Sequence, residues 1–170
     1  MIDSSAATIS GLTPKSVNLT ISTPSAFVIN TDVVIDFSFV LADTISRWDS
    51  ITIQFPPNST VVTNPFNCSI NLSSISYSSA SNLLTLVISS TSAVRVAGNT
   101  FTLRLRSYRT PSSVRITDPF TVRVMNGSGL KMTGSTTISI LPQAYPATCS
   151  TLNTTINSVT TYTVVFNLAD

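Results

Sequence analysis

Apolar and polar residues alternate with a period of two along nearly the whole chain, and no stretch carries a helical period. Val17, Leu19 and Ile21 alternate with Asn18 and Thr20. Ile35, Phe37, Phe39 and Leu41 alternate with Asp36 and Ser38. The same pattern recurs at Ile51–Phe55, Ile70 and Leu72, Leu84–Ile88, Phe101–Leu105 and Phe120–Val124, and Thr137–Leu141 closes the series. Such strands present one apolar face and one hydroxyl-bearing face, as antiparallel sheets with one wet side do. Prolines follow a strand directly in FPPNS, where a missing N–H costs nothing. SSASN and AGNT are turn clusters, and MNGSG contains the Asn-Gly hairpin signal. Short strands with a turn about every ten residues point to an all-β, antiparallel two-sheet sandwich.

The last residues, TTYTVVFNLAD, look like a strand that stops partway, and they have a counterpart. Phe39, Leu41, Ala42 and Asp43 recur as Phe166, Leu168, Ala169 and Asp170 at one constant spacing, and Ile29-Asn30 recurs as Ile156-Asn157. Thr8-Ile9-Ser10 and Leu12 recur, with a small slip, as Thr137-Ile138-Ser139 and Leu141. The period is about 128 residues, an ordinary size for one β domain. We therefore read residues 13–145 as one complete domain, 1–12 as the closing strand of a preceding repeat, and 146–170 as the first strands of the next. Two strands do not make a stable domain alone. The stripe Tyr162, Val164, Phe166 and Leu168, and the pair Ile9 and Leu12 at the other end, are thus expected to pack against adjoining units. Those units are copies of the same protein or neighbouring repeats of one chain.

Composition narrows the function. The chain is 42% hydrophobic with a net charge of +2, so it lacks the low hydrophobicity and high charge of a disordered segment. All seven acids are Asp, and there is no His. Without His there is no Ser-His or Cys-His nucleophile pair, and a glycosidase pair would have to come from scattered Asp, so no enzyme and no cofactor is expected. Nucleic acid is not expected as a partner, because no aromatic platform accompanies the arginines. No apolar run is long enough to span a membrane. The first ten residues lack a basic region followed by an apolar stretch, so a secretion signal is expected upstream.

At ITIQFPPNS, preceded by the Val33–Leu41 strand, the pattern resembles tandem Ig-like repeats of large extracellular surface and fibre proteins, including protist surface proteins and bacterial adhesins. The resemblance implies an Ig-like sandwich in a Ser/Thr-rich, extracellular or cell-surface structural or adhesive module. The loop TISRWDS replaces the Gly-rich loop usual in such repeats.

Six Asn-x-Ser/Thr sequons, at Asn18, Asn58, Asn67, Asn71, Asn126 and Asn153, are candidate N-glycan sites, and the hydroxyl faces are candidates for O-glycans. The only cysteines, Cys68 and Cys149, read as one disulfide joining the complete domain to the start of the next, with Cys149 standing where the first copy has Ser22. Arg104, Arg106 and Arg123 are expected to form a basic stripe on one sheet. Asp43 is expected to cap a turn, in preference to binding calcium, because no carboxylate cluster accompanies it. Trp48 is expected to pack at the sandwich edge. The function expected from all this is a structural repeat in a glycosylated fibre or coat, completed strand by strand between units. The alternative is an adhesin or lectin-like module, binding glycans through Trp48, Tyr77 or Tyr108 with a nearby Asp.

Overall fold

The computed structural model describes residues 13–57, 59–127, 129–143, 147–151 and 162–166, with the backbone alone for 62–66, 147–151 and 162–166. Twelve strands lie between Lys15 and Ile140: β1 Lys15–Ser16, β2 Thr20–Ser22, β3 Asp32–Val40, β4 Ser50–Gln54, β5 Thr60–Cys68, β6 Leu72–Ser78, β7 Leu83–Ile88, β8 Thr100–Arg109, β9 Arg115–Ile116, β10 Phe120–Asn126, β11 Gly129–Thr136 and β12 Ser139–Ile140. They form a six-stranded sheet, β1-β11-β10-β4-β7-β6, and a four-stranded sheet, β2-β3-β8-β5. All pairings within the two sheets are antiparallel except β1 with β11. The fold is an Ig-like antiparallel two-sheet sandwich.

The alternation explains the layers. Ile35, Phe37, Phe39, Phe101, Leu103 and Leu105 point inward from the four-stranded sheet. Ile51, Ile53, Leu84, Leu86, Val122 and Val124 meet them from the six-stranded one. Phe55 sits at the centre of an aromatic group, edge-on to Phe37, Tyr77 and Phe120 and stacked with Tyr108, at ring separations of 5.7, 6.1, 5.7 and 6.0 Å. Edge-to-face and offset rings add to the burial these side chains already provide. The Tyr108 hydroxyl is not stranded in this core, because Ser59 Oγ lies 3.1 Å away.

Two stretches differ from the sequence expectation. Val17–Ile21 was expected as one strand. Instead the chain pairs with β11 through β1, where Val17 N donates to Thr133 O at 2.9 Å, and then crosses to the other sheet as β2. Gly134 permits the crossing. A Cβ there would stand 2.2 Å from Val17 O, so no side chain fits. Thr137–Leu141 closes the domain without joining either main sheet. Its strand β12 pairs with β9 as a separate two-stranded ribbon.

The strands define an axis with two poles. The proximal pole holds the start of β1, the β3–β4 turn at Ala42–Asp49, the Ser89–Asn99 segment and the end of β10. There Lys15 pairs with Met132, and Ile45 bridges Arg95. The distal pole holds Phe27–Thr31, Thr110–Pro119 and the β9–β12 ribbon. There Ile29 N donates to Leu141 O at 3.0 Å, and Asn30 N to Pro111 O at 3.1 Å. The polypeptide thus begins its first strand at one pole and finishes its twelfth at the other.

Two further strands, β13 Ala147–Thr151 and β14 Tyr162–Phe166, pair antiparallel with each other and, among the described residues, with nothing else. Their register duplicates that of β2 and β3. Thr148↔Val165 stands for Thr20↔Ser38, Cys149↔Val164 for Ile21↔Phe37, and Ser150↔Thr163 for Ser22↔Asp36. Cys149 therefore occupies the place of Ile21, one position away from the Ser22 equivalence read from the sequence, because the segment joining the two strands is one residue shorter. Tyr162, Val164 and Phe166 lie in β14, whereas Ile9, Leu12 and Leu168 lie outside the described residues.

Candidate functional site

The β3–β4 turn concentrates the unusual features of the molecule. Trp48 has φ +66°, a left-handed conformation that bulky L-residues rarely adopt, and its side chain is 65% exposed. The expectation that Trp48 packs at the sandwich edge is thereby corrected. It stands at the tip of the turn beside exposed Arg47. What holds the turn lies underneath. Asp49 is 4% exposed, and its Oδ2 accepts from Ser46 N at 2.9 Å and from Lys131 Nζ at 2.9 Å. Lys131 Nζ also donates to Thr44 O. Trp48 N donates to Ile88 O, and Asp49 N to Ser46 O. A buried pair with its hydrogen bonds satisfied fixes geometry more than it adds stability. Here it fixes a left-handed tryptophan, the kind of backbone strain that persists only where the surroundings over-determine it.

Asp43 closes the turn from outside. Its Oδ1 accepts from Thr44 N at 2.7 Å, and its Oδ2 lies 3.4 Å from Lys15 Nζ. The Thr44 amide first, and Lys15 after it, hold the Asp43 carboxyl below the usual carboxylate range. This is the turn-capping role expected of it.

The distal pole is built differently. Its β9–β12 ribbon sets Ser139 opposite Ile116 and Ile140 opposite Arg115. Ile140 is buried, whereas Val114, Ile116 and Leu141 are 57%, 69% and 48% exposed. Arg115 Nε is buried without a hydrogen-bond partner, and Asp118 is exposed.

Several sequence-derived sites do not assemble as expected. Arg104 and Arg106 lie on β8 in the four-stranded sheet and Arg123 on β10 in the six-stranded one, so they form no common basic stripe. Arg104 is further neutralised by a bidentate pair with Asp36, at 2.7 and 2.8 Å, and its pKa is raised by that carboxylate. Trp48, Tyr77 and Tyr108 do not converge. Tyr108 is fully buried, with its phenol pKa pushed up by burial. Tyr77 pairs with Leu84, at the far end of β6 and β7 from the Trp48 turn, and donates to Asn82 Oδ1 at 3.0 Å.

The expected Cys68–Cys149 bond is not formed. Cys68 is a free, half-buried thiol at the end of β5, with its pKa raised by burial. Cys149 takes, in the backbone register, the place of Ile21 in β2.

Of the sequons, Asn18, Asn67, Asn71 and Asn126 are exposed, and Asn58 and Asn153 lie outside the described residues. Asn67 ends a row of polar residues, Ser22, Asp36, Arg104 and Asn67, running straight across the outer face of the four-stranded sheet. The signal that sequence reasoning missed is Lys131. An isolated lysine in a chain of arginines, it reaches the base of the Trp48 turn from β11.

No protein-family model and no curated protein sequence matches the chain. Its fold resembles those of several solved structures. A protein from Corynebacterium diphtheriae described as membrane anchored shares 14% identity at a TM-score of 0.50, over 73% of this chain and 35% of that one. The bacterial hydrophobin BslA shares 13% identity at 0.49, over 75% of this chain and 98% of its own. A cohesin module from a Clostridium perfringens family 33 glycoside hydrolase shares 11% at 0.46, over 75% and 98%. The chain thus spans about a third of the Corynebacterium protein, and at such identities the likeness concerns the fold.

Proposed function

We propose that this chain is a structural repeat module of an extracellular, glycosylated fibre or cell-surface coat, joined end to end with units of its own kind. The observation that carries the reading is the traverse of the polypeptide, which starts its first strand at the proximal pole and ends its last sandwich strand at the distal pole. A module with its two connections at opposite ends strings into a line without doubling back. The β13–β14 hairpin supports the same reading, because it repeats the register of β2–β3 directly after the sandwich. A lone hairpin is marginal in water. In the array, the following strands of the next unit complete it.

Four exposed sequons on strand faces and turns agree with a glycan coat, and fold similarity to a protein described as membrane anchored is compatible with a surface location. The module acts mechanically, with no catalysis and no cofactor beyond covalent glycans. Electron microscopy of native material should show an axial repeat of about 35–50 Å per unit, the length of a sandwich of this size. A monodisperse native monomer sinks the reading. Intact mass under denaturing conditions then separates one long chain from subunits that exchange strands.

A further inference from the structure

The exposed large apolar side chains are not scattered. Val40, Trp48, Val94, Val96 and Met125 stand at the proximal pole, and Val114, Ile116 and Leu141 at the distal one. We propose that the distal ribbon of each unit receives the Arg47–Trp48 tip of the unit that follows it, head to tail. The inference rests on the end-to-end reading and adds the interface to it.

Three observations support it. The first is reach. β13 stands in the place of β2, whose Thr20 lies opposite Ser38, toward the proximal pole. Only residues 141–146 separate β12 from β13, and six residues span at most about 20 Å. The next unit's proximal pole is therefore held close to this unit's distal pole. The second is chemistry. Ile116 in β9, Val114 just before it and Leu141 just after β12 have the same parity, so one face of the ribbon exposes three large apolar side chains beside Ser139, with unpaired groups at its rim. Among the described residues Asp118 is the one carboxylate without an ion pair, and Arg115 Nε is a buried donor without an acceptor. The Trp48 tip carries Arg47, which is exposed and likewise has no ion pair, so its charge is opposite to that of Asp118. The third is preorganisation. Trp and Arg are the residues most enriched where interfaces draw their energy, and a tip already locked by Lys131 and Asp49 loses little freedom on docking.

Trp48 is the only tryptophan, so its emission reports the contact directly. Sedimentation and fluorescence of the full 170-residue chain, titrated to about 1 mM, should show chain-like association with a blue-shifted emission. A short tether supplies only a millimolar effective concentration, so a contact too weak to form at 1 mM is also unpopulated in an array. Trp48→Ala and Ile116→Ser should each abolish self-association while keeping the far-ultraviolet circular dichroism of the fold. Mixed together they should form heterodimers that grow no further, because each retains one intact pole. Failure of the wild-type chain to associate, self-association of either variant alone, or no recovery in the mixture overturns the proposal. The array reading is judged separately. Native material with the axial repeat, but with Trp48 open to an aqueous quencher, removes the docking and leaves the array.

Discussion

The two poles of the sandwich solve the same problem in opposite ways. At the proximal pole a seven-residue turn, Asp43–Asp49, is held from beneath by a buried ion pair, and it lifts one strained aromatic residue into solvent. At the distal pole two short strands pair into a ribbon that exposes Val114, Ile116 and Leu141 beside Ser139. The proposed docking sets a tip against a ribbon, and neither two tips nor two ribbons. In that proposal the difference gives the assembly a direction. A symmetric molecule with the same composition would pair with itself and stop.

That contrast can be broken at its support first. Lys131→Ala leaves Asp49 buried without its cation and should destabilise the fold by about 3–5 kcal/mol. The double change Lys131→Met with Asp49→Leu should recover most of that in urea titrations, while the Trp48 turn loses its fixed geometry. Trp48→Gly comes next, with the opposite sign. Relief of the left-handed strain should stabilise the isolated chain by about 1 kcal/mol while removing the docking residue, a gain in stability accompanied by a loss of assembly. Arg104→Ala, on the exposed outer face between the poles, should leave the urea midpoint nearly unchanged despite its bidentate geometry, because solvent screens the pair.

Acidity should separate the poles with the smallest effects. The Asp43 pKa is lowered, so its contribution to the proximal turn is present above the ordinary carboxylate range and is lost as pH falls through the lowered value. The Tyr108 pKa is raised by burial, so the distal side is unaffected below about pH 10, where unfolded tyrosine ionises, and loses stability above it. Hydrogen exchange should accordingly rise first around Thr44 in acid and around Tyr108 in alkali. Equal protection changes at both positions would show that the poles do not open independently.

Much of the fold could be read without coordinates. Period two in Ile35–Leu41, Phe101–Leu105 and Phe120–Val124 depends only on which face of a strand is wet, and that is a local property of the sequence. The polarity of the Asn67 and Asn71 positions was legible for the same reason. Errors arose wherever the answer depended on a partner far along the chain. Val17–Ile21 reads as one strand, but where it crosses between sheets is decided by the space that Gly134 leaves on β11. Arg104 and Arg123 have the same outward parity, yet parity does not say that β8 and β10 belong to different sheets.

By itself the sequence determined the class: all-β, two sheets, antiparallel, in a chain without histidine. Each of these follows from spacing or from the presence or absence of a residue type. The tertiary structure alone decided the poles. Trp48 became an exposed, strained tip because Lys131, from a strand distant in sequence, neutralises the Asp49 beneath it. Val114, Ile116 and Leu141 became one surface because β9 and β12 pair across more than twenty residues of intervening chain. Long-range pairing chooses among many locally acceptable partners, and alternation leaves that choice open.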